Sequence, residues 1–196
     1  MKEYIKTLDD FIARINTPIS SGIFYPAASG DDGYWWPAGS LNTANMYVFA
    51  SHSIDTMVSF IRFPNVNIPQ GAVITEAFLR ATADAARSGE AVCNIYANDA
   101  DNATAPINES QMAALVYTTA YVEWDQGASW SASTQYDTPD ISTVIQEIVD
   151  RGGWQSGNAM MLLLDVIGTT YNIISSYDRG TGLPELHIKW GYYSGN

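Results

Sequence analysis

The sequence predicts an all-β fold: a jelly-roll-like sandwich of two sheets and about eight antiparallel strands, with one inserted helix and an amphipathic helix at the N-terminus. Three observations point there. Apolar segments of strand length recur between turn signals from residue 45 onward. Ser, Thr, Asn and Gly fill the polar positions, as suits short strands joined by tight turns. Charge is sparse, at 15% of 196 residues, against 46% hydrophobic and 12% aromatic. Such a composition excludes disorder. At this length a chain buries roughly 70% of its unfolded surface, so no disulfide or metal staple is required.

At the N-terminus, Tyr4, Ile5, Leu8, Phe11, Ile12 and Ile15 recur at three- and four-residue steps, with Lys2, Glu3, Lys6, Asp9, Asp10 and Arg14 between them. That spacing predicts an amphipathic helix, ended by Asn16-Thr17-Pro18. The acids inside it exclude a secretory signal. Two placements stay open: a helix packed on its own domain, or an arm that docks on a partner through Tyr4, Leu8, Phe11, Ile12 and Ile15. The domain division is accordingly an arm over 1–19 and a sandwich over 20–196.

Residues 20–39 are rich in Gly, Pro, Ser and aromatics and read as an ordered loop with short strand pieces. Strands are expected over 45–51, 56–63, 72–83, 91–97, 113–123, 160–167, 171–177 and 185–190. In the third, strict alternation puts Val73, Thr75, Ala77, Leu79 and Ala81 on one face, with Ile74, Glu76, Phe78 and Arg80 on the other. A helix is expected over about 139–151. Asp137-Thr138 is placed to cap it and Pro139 to begin it. Ile141, Val144, Ile145, Ile148 and Val149 form its apolar stripe, and Gly152-Gly153 supplies a left-handed exit. No internal repeat is visible.

Four stretches, in order, carry a resemblance: SFIRFPNVNIPQGAVITEAFLRATAD (59–84), NIYANDADNATAP (94–106), PDISTVIQEIVDRGGWQSGNAMMLLL (139–164) and SSYDRGTGLPELHIKW (175–190). Together they resemble DNRLRE-type, carbohydrate-binding-module-like β-sandwich domains. The third stretch is the best match. Residues 1–50 have no counterpart, and Pro106-Ile107 replaces the aromatic expected after "dNA". The resemblance implies a binding or structural module, of a kind found in extracellular enzymes and adhesins and in bacteriophage particles.

Candidate chemistry is sparse. Of the two histidines, His187 alternates with apolar residues in a strand and His52 follows a strand end. Neither has the company of a Ser-His-acid set. Zinc is not expected from two histidines and one cysteine at unrelated spacings. Cys93 lies in an apolar run and reads as a buried, inert thiol. Glu123 and Asp125 flank Trp124, a spacing that 21 acids produce by chance. Asp99 and Asp101 alternate in NDADN. The functional reading is a Ca²⁺ site, since alternate oxygen ligands can converge on a hard cation, and the rival is an Asx-rich turn. Tyr34-Trp35-Trp36 is the binding candidate: one exposed ring would stack on a sugar or anchor an interface, whereas a folded-over loop would bury both tryptophans. Trp124, Trp130, Trp154 and Trp190 are expected in packing.

The net charge of −12 opposes binding to nucleic acid and to anionic membranes. An outward-facing composition without an export signal fits a virion protein, made in the host cytoplasm and displayed outside. The expected function is therefore a non-catalytic capsid-decoration or tail-associated protein of a bacteriophage, binding other virion proteins and copies of itself. The alternative is a carbohydrate-binding module or adhesin for a host-surface glycan. No cofactor is expected beyond the Ca²⁺ of Asp99 and Asp101.

Overall fold

The computed structural model describes residues 19–36, 41–43, 46–47, 57–89, 91–127, 129–167 and 170–191. The segment expected to form the N-terminal helix, with Tyr4, Leu8, Phe11, Ile12 and Ile15, and His52 lie outside them. The described residues form an all-β sandwich of antiparallel sheets.

Strands run in the order β1 (Ser20–Phe24), β2 (Asp32–Trp35), β3 (Met46–Tyr47), β4 (Val58–Phe63), β5 (Val73–Thr82), β6 (Arg87–Ser88) and β7 (Val92–Ala97). They continue through β8 (Val122–Asp125), β9 (Ser129–Trp130), β10 (Gln135–Asp137), β11 (Met160–Val166), β12 (Ile173–Ile174) and β13 (Glu185–Gly191). One sheet has the order β1-β13-β5-β10 and the other β2-β4-β11-β7-β8. Eight strands pair as nested couples, β7 with β8, β5 with β10, β4 with β11 and β1 with β13. That nesting is a single long hairpin folded across two layers, the jelly-roll arrangement, with β2 added at one edge.

The main core lies between the sheets. It includes Ile61, Phe63, Ala77, Leu79, Cys93, Ile95, Leu162, Leu164, Leu186 and Ile188. Helix α1 (Glu109–Ala113) lies before β8, and helix α2 (Ser142–Val149) between β10 and β11. The apolar stripe of α2 packs against β5 and β7, one strand from each sheet, and so closes the sandwich. Trp154, 1% exposed, seals the same end and donates from Nε1 to the carbonyl of Ile68 at 2.9 Å. Trp124, Trp130 and Trp190 are core residues as well. Burial pushes the Cys93 thiol well above its ordinary value, so it is inert.

Several expectations are corrected. Helix α2 begins at Ser142, with Ile141 at its N-cap position and Asp140 in a turn just before it: Asp140 Oδ1 accepts from Ser142 N and from Ala77 N, both at 3.0 Å. Asp137 and Thr138 serve β5 instead. Asp137 grips Arg80 in two bonds of 2.7 Å, and Thr138 Oγ1 accepts from Leu79 N. The Gly152-Gly153 exit is not left-handed; Gly153 packs against the Asp101 carboxylate, which would have to shift to admit a side chain there.

Residues 113–121 are not strand. Asn108 Oδ1 accepts from Gln111 N, a cap that starts α1, and extended pairing resumes at Val122. In β5 a register shift opposite Lys189/Trp190 inserts Thr75 as an extra residue, which turns Ile74 inward and Val73 outward. The expected strand 171–177 shrinks to Ile173–Ile174, and Tyr177–Arg179 turn into a 3-10 helix.

Ile145 is fully buried against both sheets. Ile145→Ala is expected to destabilise the domain by about 2–5 kcal/mol and Ile145→Asp to unfold it. Chemical denaturation followed by circular dichroism checks both.

Candidate functional site

The three aromatic candidates do not form a projecting loop. Tyr34 and Trp35 belong to β2, which pairs in register with β4 from Asp32 opposite Ile61 to Trp35 opposite Val58. Tyr34 is buried beside Met57, with Trp36 packed on it at 6.1 Å between ring centroids. Trp35 is half-buried and faces the opposite way, onto a second cluster of Val58, Phe60, Met112, Met161 and Leu163. Its indole Nε1 is buried with no hydrogen-bond partner among the described residues. The backbone carbonyl of Asn42 sits where a side chain at Gly33 would be, so glycine there lets the chain cross over itself. Both tryptophans are thus half-buried on an edge strand of the five-stranded sheet, with Trp35 laid on its apolar outer face.

Asp99 and Asp101 do converge, but on an arginine. Arg151, just past α2, donates from Nε to Asp101 Oδ1 at 2.7 Å and from Nη1 to Asp99 Oδ1. The two acids raise the guanidinium's proton affinity further, mainly through the Asp101 bond. Among the described residues no group of three His, Cys, Asp or Glu side chains is arranged to hold a metal. The cation answered by the alternating acids is thus a side chain of the same molecule. Glu123 and Asp125 are both exposed on β8, where Asp125 Oδ1 accepts from Gly127 N to close a turn.

The sequence reading missed a buried acid pair at the start of β2. Asp31, on the 3-10 turn Ser29–Asp31, is 3% exposed. It accepts from Arg62 Nη1 at 2.6 Å and from Ala27 N at 3.0 Å. Arg62 also donates from Nε to the carbonyl of Ala103 at 2.7 Å, so one guanidinium ties the N-terminal segment and the loop after β7 to β4. Asp32 has no exposed surface, and its Oδ2 accepts from Tyr177 N at 2.7 Å. Its Oδ1 has no partner among the described residues. An orphaned neutral oxygen costs about 1–3 kcal/mol and an orphaned charge far more, so burial pushes the carboxyl up to about 7. Asp178 and Asp31 add to the rise, and the Tyr177 bond opposes it. The Asp-Asp-Gly lies just before the aromatics Tyr34 to Trp36, in the stretch 20–39 read as a loop, and does not announce that burial.

A third feature lies on the outer face of the first sheet. Ile23, His187 and Phe78 form one cross-strand row. His187 and Phe78 stack at 4.6 Å with their planes 9° apart, and His187 Nε2 meets Glu185 Oε2 at 2.7 Å. Lys189 pairs with Glu76 beside them. On and beside edge strand β1 three apolar residues face water: Ile23 in the strand is 47% exposed, and Ile19 and Tyr25 flanking it 66% and 42%. No charged residue lies between Ile19 and Ser29.

No family model matches the chain, and no curated protein is similar to it in sequence. The resemblance to DNRLRE-type domains rests on the short segments named above. No helix of the described residues is long and apolar enough to cross a membrane.

Arg151→Ala should cost about 1 kcal/mol, because the network is partly exposed, and the loss should shrink in high salt. Millimolar Ca²⁺ or EDTA is expected to leave the Tm of the unaltered protein unchanged. Differential scanning fluorimetry tests both, and stabilisation by Ca²⁺ would show that the ion displaces the guanidinium.

Proposed function

We propose that the chain is a non-catalytic structural protein of a virus particle, a capsid-decoration or tail-associated surface protein of bacteriophage type. It is assembled in the host cytoplasm and displayed outside. It is held to neighbouring virion proteins and copies of itself by its first 19 residues and by β1. The observation that carries this reading is the exposed apolar trio Ile19, Ile23 and Tyr25 on and flanking the uncharged edge strand β1. Sheet edges offer unpaired backbone groups, and natural proteins guard them with charge, bulges or cover. In a chain of net charge −12, an uncharged edge is where a like-charged copy can approach without repulsion, adding its own strand to the ladder.

The placement of the ionisable groups supports a non-catalytic role. His187 is packed on Phe78 and bonded to Glu185, and Arg62, Arg80, Arg151 and Arg179 each hold a carboxylate. These are the arrangements of a scaffold, where charges fix loops in place.

Sedimentation velocity on the purified chain tests the proposal. The unaltered protein should form oligomers whose size rises with concentration. Ile23→Lys, and separately removal of residues 1–19, should give a folded monomer with an unchanged strand spectrum. Oligomers of undiminished size in both variants would sink the reading.

A further inference from the structure

Three buried side-chain nitrogens, Arg87 Nε, Gln126 Nε2 and Trp130 Nε1, have no hydrogen-bond acceptor among the described residues. The fold brings them together. Arg87 on β6 and Trp130 on β9 are direct partners in an antiparallel ladder, so their side chains leave the same face, about 5 Å apart at Cβ. The Arg87 guanidinium lies over the Tyr171 ring, 4.6 Å from its centroid. The next residue, Asn172, donates from Nδ2 to Gln126 Oε1 at 2.8 Å, which leaves the Gln126 Nε2 as the orphan. Trp130 is 2% exposed and its indole is fixed by stacking on Tyr136 at 4.4 Å. All three orphans are donors, and folded proteins pair nearly every buried polar group.

Charge supplies a second observation. Arg62, Arg80, Arg151 and Arg179 each hold a carboxylate, whereas Arg87 alone of the described arginines holds none, in a chain with 21 acids and 9 bases. Arg87 is half-buried and Tyr171 37% exposed, so the group is reached from solvent.

We propose that Arg87, Gln126 and Trp130 form a binding site for a carboxylate brought from outside the chain. An ionised carboxylate only accepts, and its two oxygens match the planar fork of a guanidinium. Tyr171 takes one face of that guanidinium and leaves its edge for the ligand. A single arginine answers a single negative charge, and a net charge of −12 disfavours the heavier charge of a phosphate. The chemistry is the same for a small organic acid and for the C-terminus of a peptide. None of the three residues belongs to β1 or to residues 1–19, so the site stands or falls apart from the oligomer proposed above.

Heteronuclear NMR on the full-length protein, with the side-chain N–H signals of Arg87, Gln126 and Trp130 assigned, tests the site. Sodium acetate should move all three along one saturable curve in the millimolar range, and sodium chloride at equal ionic strength should not. Arg87→Gln should weaken acetate binding about tenfold or more, as the loss of a hydrogen bond to a charged group does. Gln126→Glu supplies the acid from within the chain while keeping an acceptor for Asn172, so it should raise the Tm and abolish the response to acetate. A short peptide with a free C-terminus that binds tighter than acetate, while its amidated form does not bind, marks a peptide as the source; equal affinities mark a small acid. Four results would overturn the proposal: no saturable shift with acetate, the same shift with chloride, a response to phosphate but not to acetate, or an undiminished response in Arg87→Gln. Should Arg87→Gln fail to fold, Gln126→Glu and the chloride control decide the matter.

Discussion

The constraint on which this molecule turns is that its two central strands, β4 and β11, are apolar on both faces. Ile61 and Phe63, with Leu162 and Leu164, fill the space between the sheets, while Val58 and Phe60, with Met161 and Leu163, form a second cluster on the outside. Antiparallel sheets commonly leave one face to water, and a sheet greasy on both sides must find a cover. Helix α1 supplies Met112, the loop after it Leu115 and Tyr117, and β2 supplies Trp35. Arg62 sits at the margin of this cover and ties two of its pieces, through Asp31 and the Ala103 carbonyl, back to β4. What looks from outside like decoration is part of the hydrophobic economy of the domain.

That constraint also decides what the sequence could reveal. The sandwich, its long strands and α2 were legible because each is a local pattern: alternation in 58–63, an unbroken apolar run in 160–166, a three-four stripe from Ile141 to Val149. Thirteen strands appear among the described residues where about eight were expected, because pieces as short as Arg87–Ser88 and Ser129–Trp130 are set by their partner and not by their own two residues. The inward turn of Ile74 depends on a bulge fixed by β13, more than a hundred residues away. Helix α1 precedes the stretch read as strand over 113–123, and at five residues it is too short to show a helical period.

The candidate site was legible in part. Asp99 and Asp101 were correctly paired in sequence, yet their partner is Arg151, distant along the chain and bare of any motif. Tyr34, Trp35 and Trp36 are split by the alternation of β2, with Tyr34 and Trp36 on Met57 and Trp35 on the outer cluster. The Asp31–Asp32 pair was invisible, because nothing in two adjacent acids announces that both are buried and that they have different fates. One is neutralised by an arginine from β4, the other by its environment. The proposed contact surface lies on the N-terminal side of the sandwich, where among the described residues the edge strand β1 carries no charge and Ile19, Ile23 and Tyr25 are exposed.

Because each strand couple encloses the next, the order of pairing is also an order of assembly. β7 and β8 meet across a short span of chain, whereas β1 must wait for β13, some 170 residues away, with Ser20 opposite Trp190. Contacts that distant are slow to form, and the outermost rung of such a zipper is the last to close and the first to fray. A newly made chain would thus remain open at β1 while its centre is already solid. A neighbour arriving during that interval could template the final strand, which would couple maturation of the subunit to its incorporation.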